Sequence, residues 1–203
     1  ADPSWRVRAA AVERLGALRD PAPALPGLLE ALGVGATVGA REGAAAALQR
    51  LGAPAVPALL ERLGGGDPEV RQGAAWVLGA IRDRRAVTAL AARLADGDPC
   101  VRAAAAAALA RIGGPDAAGA LEAALASDDA ILRLAALEAL VDLRACPPAA
   151  AVAELLRDPT LRRPAYRVLG ASEEPEGLRL LAEGLAEPAR GTRQAALAGV
   201  GQQ

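Results

Sequence analysis

An arginine and a leucine recur along this chain at a nearly constant interval, and that interval limits the folds open to it. Neighbouring arginines of the set are 29 to 33 residues apart, and neighbouring leucines are 29 to 31 apart. Two markers that keep one period indicate stacked structural units, each of which packs mainly against its neighbours. The arginines are Arg8, Arg41, Arg71, Arg102, Arg133, Arg162 and Arg193, and the leucines are Leu32, Leu63, Leu94, Leu125, Leu156 and Leu185.

The clearest unit runs from Asp67 to Gly97 and contains two predicted helices. Asp67 is suited to cap a helix, and Pro68 suits the first helical position, where its missing N–H costs no hydrogen bond. One such hairpin cannot bury its apolar face alone, so the sequence predicts stacked copies. The apolar positions at helical spacing are Val70, Ala74, Leu78 and Ile81 in the first helix and Val87, Leu90 and Leu94 in the second.

This pattern, Asp-Pro-x-Val-Arg-x-x-Ala-Ala-x-x-Leu-Gly followed by Ala-Val-x-Ala-Leu, resembles HEAT repeats. More narrowly, it resembles the short bacterial HEAT-like repeats of phycobilin lyases. The best copies are Asp67–Gly97 and Asp98–Asp128, and the resemblance covers nearly the whole chain. It implies an all-α fold, namely an α–α superhelix of the HEAT/armadillo type, with about thirteen helices in antiparallel pairs and a period of about 31 residues.

We expect a single repeat array over residues 1–203, because the period is not interrupted. The chain begins and ends inside repeats, so we also expect it to be a piece of a longer protein. In HEAT repeats the helix that carries the arginine is the inner helix of each pair, and the first inner helix is predicted near Ser4–Leu18. The predicted boundaries are 1–20 for a partial repeat, then about 21–51, 52–82, 83–113, 114–144, 145–172 and 173–203.

The unit that starts at Asp158 departs most from the pattern. Asp158 and Pro159 would cap its inner helix, but Pro164 falls inside that helix. A proline there removes a helix hydrogen bond and clashes with the preceding turn, at a cost of ~3 kcal/mol. We therefore predict a kink or a late helix start between Arg162 and Tyr166.

The composition argues against most catalytic chemistry. The chain has no His, and its two cysteines are Cys100 and Cys146. A His general base, a Ser-His or Cys-His pair and a His metal ligand are therefore excluded, as are the His-Glu iron ligands of the HEAT-like enzyme deoxyhypusine hydroxylase. Two cysteines on opposite edges of the predicted array form neither a zinc site nor a disulfide. We expect no enzyme activity, no metal and no cofactor.

Charge and hydropathy limit the partners. All 23 basic residues are arginines and the net charge is −1, which predicts no general attraction to nucleic acid or anionic lipid. No apolar run approaches the ~18 residues of a membrane span. The exclusive use of arginine indicates a GC-rich bacterial genome, and the low cysteine content is typical of the cytoplasm. We expect a cytoplasmic monomer with a protein or peptide partner and with neither a nucleic-acid nor a membrane partner.

Two columns of polar residues mark the starts of the inner helices. Each aspartate is placed to cap a helix, and each arginine to bind an acid or a carbonyl, often in the neighbouring repeat. In HEAT-like proteins such ladders stiffen the stack; contact between these arginines and a ligand is the alternative. The predicted ladder residues are Asp67, Asp98, Asp129 and Asp158 with Arg71, Arg102, Arg133 and Arg162.

A further stripe lies opposite the predicted core. At 100° per residue, Gln72, Trp76 and Gly79 point away from Val70, toward the surface that is concave in HEAT arrays. A large aromatic residue among small neighbours resembles the centre of a binding interface. Alternatively, Trp76 folds over a neighbouring helix and fills the space left by alanines. The candidate partner-binding residues are Gln72, Trp76, Ala107, Leu134, Glu138, Arg163 and Arg167.

These features favour a non-catalytic scaffold or regulatory module that binds a protein or peptide on its concave face. One alternative, implied by the resemblance to phycobilin lyases, is the handling of a bilin, an open-chain tetrapyrrole. Trp76 would then stack on the chromophore, and Arg163 and Arg167 would pair with its propionates. The second alternative is nucleic-acid binding, as in HEAT-like DNA glycosylases, which requires a basic concave surface.

Overall fold

The computed structural model describes residues 10, 12–14, 20–33 and 36–200, and every regular element in these ranges is helical. The expected all-α class is therefore confirmed. The contacts within the chain divide it into two compact units, Ala1–Ile112 and Gly113–Gln203. Residues 10 and 12–14 are helical. The rest of the predicted first inner helix, with Trp5 and Arg8, lies outside the described residues.

The N-terminal unit is built from helical hairpins in two layers. Helices α2, α4 and α6 lie side by side in one layer, and α1, α3 and α5 lie in the other. The layer of α2, α4 and α6 carries the periodic arginines and corresponds to the predicted inner helices. The described helices of this unit are α1 (Leu25–Glu30), α2 (Val38–Leu51), α3 (Val56–Leu63), α4 (Pro68–Ile81), α5 (Val87–Arg93) and α6 (Pro99–Ile112).

The inner helices of this unit begin where their capping side chains stand. The Asp67 carboxylate accepts a hydrogen bond from the Glu69 N–H at 2.9 Å, at the start of α4. Helix α2 lacks the Asp-Pro pair, and the Thr37 hydroxyl accepts from the Ala40 N–H at 3.3 Å instead. A side-chain oxygen satisfies one of the unpaired N–H groups at each of these helix starts.

Alanine and glycine bring the inner helices of this unit close together. Leu78 of α4 is fully buried, whereas Val70 and Ile81, near the helix ends, are half-buried. Gly79 is buried as well, and a Cβ atom on it would lie 2.6 Å from the Cα of Ala108 in α6. The prediction that Gly79 faces away from the core is wrong, because an inner helix is flanked by another inner helix on that side.

The C-terminal unit repeats the hairpin plan. Helices α8, α10 and α12 lie side by side, and α7, α9 and α11 pack against them as the first helices of the hairpins. The described helices are α7 (Pro115–Ala124), α8 (Ala130–Leu143), α9 (Ala149–Leu155), α10 (Arg162–Leu169), α11 (Pro175–Gly184) and α12 (Arg190–Val200).

Helix α10 begins late, as predicted from Pro164. Its first residue is Arg162, so Pro164 occupies the third helical position, where an N–H group would have no helical partner. The Asp158 carboxylate accepts from the backbone N–H of Thr160 at 2.9 Å and from its hydroxyl at 2.7 Å. Asp158 therefore closes a turn before the helix, and Leu161 stands at the N-cap, so the prediction that Asp158 caps this helix is wrong.

Candidate functional site

Arg71 joins the turns of two successive hairpins in the N-terminal unit. Its Nε and Nη2 atoms donate to the Asp96 carboxylate at 2.9 and 2.7 Å. Its Nη1 donates to the carbonyl oxygens of Gly65 and Gly66 at 3.0 and 2.8 Å. The Asp96 side chain is only 3% exposed, and its hydrogen bonds with Arg71 hold the pKa of the Asp96 carboxyl below its ordinary value. The guanidinium thus ties the turn before α4 to the turn before α6.

The other ladder arginines make related contacts. Arg102 donates to two carbonyls in the turn before α6, at 2.7 and 3.3 Å. In the C-terminal unit, Arg133 lies 3.6 Å from the Asp158 carboxylate, and Arg162 lies 3.4 Å from that of Glu187. These acids follow their arginines by 25 residues, as Asp96 follows Arg71.

Sequence reasoning did not single out Asp96 or Glu187. The interval of 25 residues between arginine and acid is visible in the sequence and would have indicated both. Two of the predicted ladder aspartates bind backbone at helix starts: Asp98 and Asp129 accept from the N–H two residues onward, at 2.8 and 2.9 Å. Arg71 therefore pairs with an acid that lies outside the column of predicted capping aspartates.

A groove of about 390 Å³, here called the tryptophan groove, crosses α2, α4 and α6. Trp76 is its one aromatic residue among the described lining residues, and the residue is 45% exposed. Ala46 and Ala104, whose side chains are single methyl groups, line the groove together with the indole. The lining residues are Leu32, Arg41, Glu42, Ala45, Ala46, Gln49, Glu69, Gln72, Gly73, Trp76 and Ala104.

Charged side chains make two contacts at the tryptophan groove. At the rim, Arg41 Nη2 lies 3.0 Å from Glu69 Oε2. Behind the indole, the guanidinium carbon of Arg111 lies 5.5 Å from the centre of the Trp76 ring, within the range of a cation–π contact. Trp76 is therefore packed against Arg111 while much of its surface stays open to the groove. The sequence analysis named neither Arg111 nor the pair of Arg41 and Glu69 as parts of the site.

A second groove, of about 260 Å³, crosses α8, α10 and α12 in the C-terminal unit and is here called the arginine groove. Arg163 and Arg167 are exposed and stand one turn apart on α10. Among the described residues that line this groove, none is an Asp or a Glu. The lining residues are Val141, Arg163, Arg167, Gly191, Gln194, Ala195, Ala198 and Gly199.

The candidate partner-binding residues are divided between these places. Gln72 and Trp76 line the tryptophan groove, and Arg163 and Arg167 line the arginine groove. Because the first two and the last two belong to different compact units, each groove is a separate candidate site.

The remaining candidates are exposed but line neither groove. Ala107 lies on α6, where Ala104, one turn earlier, is the lining residue. Leu134 and Glu138 lie on α8, where Val141 lines the arginine groove. Each of the three lies on the same face of its helix as a lining residue, but the groove does not extend along the helix as far as that residue.

The described part of the chain offers neither a cluster of metal ligands nor a membrane-spanning helix. In the described ranges, no group of three or more His, Cys, Asp and Glu side chains is placed to hold a metal ion. None of the helices placed in those ranges has both the length and the apolar character that a bilayer crossing needs. Cys100 is exposed, Cys146 is half-buried, and both are free thiols.

Comparison with known sequences identifies the repeats. A family model described as HEAT repeats matches residues 56–141, and one described as PBS lyase HEAT-like repeat matches residues 7–33. A comparison with curated protein sequences found no match.

Comparison with solved structures identifies the fold. The Escherichia coli protein YibA is 19% identical, with a TM-score of 0.65 over 95% of this chain and 74% of that one. The CpcE–CpcF complex of phycocyanin lyase from Nostoc is 25% identical, with a TM-score of 0.57 over 88% and 99%. A designed armadillo repeat protein in complex with the peptide (KR)4 is 15% identical, with a TM-score of 0.57 over 88% and 98%. The predicted HEAT/armadillo-type solenoid class is confirmed.

Proposed function

Because the chain belongs to the HEAT repeat family and carries repeats of the phycobilin-lyase type, we propose that it is a non-catalytic module that binds a protein or peptide segment on its inner helices. The observation that carries this proposal is the half-exposed indole of Trp76 in a preformed groove. The binding segment would place an apolar side chain beside the indole.

The energetic argument begins with the exposed part of the indole. A tryptophan that is 45% exposed leaves roughly 100 Å² open to solvent. Burying that area would contribute roughly 2–3 kcal/mol, which is the scale of an interface hot spot. Because Ala46 and Ala104 are small, the groove of about 390 Å³ can receive a partner side chain beside them.

The groove is also ordered before a partner arrives. Trp76 lies on α4 and is held by Arg111 of α6, and the rim is joined by the pair of Arg41 and Glu69. A surface built on helices loses little conformational entropy on binding, so more of the contact energy appears as affinity.

Bilin binding is a second candidate, supported by the 25% identity to the CpcE–CpcF complex and by the lyase-type repeat. In this version Trp76 would stack on the tetrapyrrole and Arg111, the cation beside it, would face a propionate. Arg163 and Arg167 line a different groove from Trp76, so they are not expected to bind the propionates of a bilin that stacks on the indole. Nucleic-acid binding has weaker support here, because Glu42 and Glu69 line the tryptophan groove.

The proposal is tested by selecting peptides from a random library on the wild-type chain and measuring their affinities for the Trp76→Ala variant. Leu178→Ala is the matched control, because Leu178 is 43% exposed on α11 and does not line the groove. We expect Trp76→Ala to weaken the selected peptides by about tenfold or more and Leu178→Ala to leave them unchanged.

Equal affinities for the wild type and Trp76→Ala would contradict the proposal. Titration with a free bilin separates the second candidate. A visible absorbance change that the Trp76→Ala variant loses, together with no selected peptide, would favour the tetrapyrrole.

A further inference from the structure

The arginine groove differs from the tryptophan groove in the sign of its charge. Two guanidinium groups, from Arg163 and Arg167, and one carboxamide, from Gln194, are its polar side chains among the described residues. The rest of its lining is apolar or lacks a side chain. Its net lining charge is positive, although the whole chain carries a net charge of −1. Any attraction for an anion must therefore be local to this groove.

The neighbouring arginines of the same helices are engaged by the protein itself. Arg162 donates from Nε to the Leu156 carbonyl at 2.9 Å and lies 3.4 Å from the Glu187 carboxylate. Arg193 donates from Nη1 to the carbonyls of Glu187 and Pro188, both at 2.7 Å. Neither Arg163 nor Arg167 donates a hydrogen bond to another residue that the structure describes. Their N–H groups are available to a ligand.

The spacing of the two arginines along α10 suits alternate residues of an extended chain. Arg163 and Arg167 are four residues apart on α10, which separates them by about 6 Å along the helix axis. Side chains on one face of an extended peptide repeat every two residues, about 6.6 Å apart. The opposite wall carries Gly191, Ala195 and Ala198, small enough for a peptide backbone to approach. Gln194 lies on the same wall and can pair with a backbone amide.

We infer that the arginine groove binds an extended peptide segment with carboxylates at alternate positions, one facing Arg163 and the next facing Arg167. Each guanidinium can hold a carboxylate through two parallel hydrogen bonds. The inference rests on the proposed peptide-binding function and deepens it by naming the chemistry of a second segment. A peptide is favoured over nucleic acid because two arginines in an acidic chain neutralise few phosphates.

The test uses the full chain and fluorescein-labelled octapeptides. One peptide alternates Glu and Ser, and its matched partner alternates Gln and Ser; a single-stranded oligonucleotide is the third probe. Binding is measured by fluorescence anisotropy for the wild type, for Arg163→Gln with Arg167→Gln, and for Trp76→Ala. The charge-matched control combines Arg144→Gln with Arg157→Gln, since both arginines are exposed in the C-terminal unit and line neither groove.

We expect the wild type to bind the Glu peptide about tenfold more tightly than the Gln peptide, with a preference that falls as salt rises. The groove double variant should lose this preference, while the charge-matched control and Trp76→Ala should keep it. Circular dichroism checks that each variant retains its helices.

Three results would overturn the inference. They are equal affinity of the wild type for the Glu and Gln peptides, an equal loss in the charge-matched control, and tighter binding of the oligonucleotide than of the Glu peptide. If library peptides remain sensitive to Trp76→Ala in any of these cases, this inference fails while the proposed function stands.

Discussion

Helices α4 and α10 hold the same place in the repeat but are built differently. An Asp-Pro pair stands at the start of both repeat segments, and each helix carries the ladder arginine four residues after that Asp, as Arg71 and Arg162. Helix α4 has 14 residues and begins directly at Pro68, whereas α10 has 8 residues and begins only at its arginine. The two repeats therefore share the arginine at the start of the inner helix but differ in the length of that helix.

The ion pairs of these two arginines differ as well. Arg71 binds Asp96 through two hydrogen bonds, and the Asp96 side chain is 3% exposed. Arg162 meets Glu187 through one contact of 3.4 Å, and the two side chains are 34% and 19% exposed. A buried carboxylate depends on its partner far more than one that water can reach. The N-terminal pair should therefore matter more for stability.

The largest expected effect comes from removing the buried acid. Asp96→Ala should lower the free energy of unfolding by about 3 kcal/mol, because the Arg71 guanidinium loses its buried partner. Glu187→Ala should cost less than about 1 kcal/mol, because water reaches the partly exposed Arg162 guanidinium and can replace the lost carboxylate. Urea titrations followed by circular dichroism measure both. Equal losses of unfolding free energy in the two variants would contradict the conclusion that burial makes the Arg71–Asp96 pair more important for stability.

A smaller effect is expected where two inner helices touch. Gly79→Ala places a Cβ atom 2.6 Å from a backbone atom of Ala108, so α4 and α6 must separate at a cost of roughly 1–3 kcal/mol. Gly119→Ala is the matched control: nothing lies within 4 Å of its Cβ position on α7, and the change should stabilise by about 0.5–1 kcal/mol. Thermal unfolding of both variants gives the sign of each change. A stabilised Gly79→Ala variant would contradict the close contact.

The stability that the Arg71–Asp96 pair contributes should depend on pH in the acid range. Hydrogen bonding to Arg71 lowers the folded-state pKa of Asp96 below its unfolded value of about 3.9. Asp96 therefore contributes stability above that pH, and this contribution is lost as the pH falls through the lower folded pKa. The stability difference between the wild type and Asp96→Ala should be constant from pH 7 to about 5 and shrink below about 4. A difference that persists undiminished at pH 2 would contradict this assignment.

The smallest effect concerns the late start of α10. Pro164→Ala restores an N–H that can bond to the Thr160 carbonyl, so the helix should extend back toward Pro159, as α4 begins at Pro68. Stability should change by less than about 1 kcal/mol, because the new hydrogen bond offsets the lost packing of a buried ring. Backbone NMR chemical shifts report the extension. Pro68→Ala is the control: it changes a first helical position and should leave the start of α4 in place. If α10 still begins at Arg162 in the Pro164→Ala variant, the turn closed by Asp158, and not the proline, sets the start of that helix.

The two grooves show where prediction from the sequence stops. Helical periodicity correctly placed Gln72, Trp76, Arg163 and Arg167 on exposed faces of the inner helices. It did not find that Ala104 rather than Ala107 lines the tryptophan groove. Periodicity reports an angle around one helix axis. A groove depends also on how far along that axis the neighbouring helix lies, which no single helix encodes.

By itself, the sequence determined the helical repeat, its period, most helix starts and the column of arginines. These depend on local interactions, namely capping, proline geometry and the spacing of apolar residues within about one turn. Tertiary structure alone decided that Gly79 is buried against Ala108 and that Arg111 lies against Trp76. Each of these joins residues of different helices or turns, and such contacts exist only once the hairpins have packed.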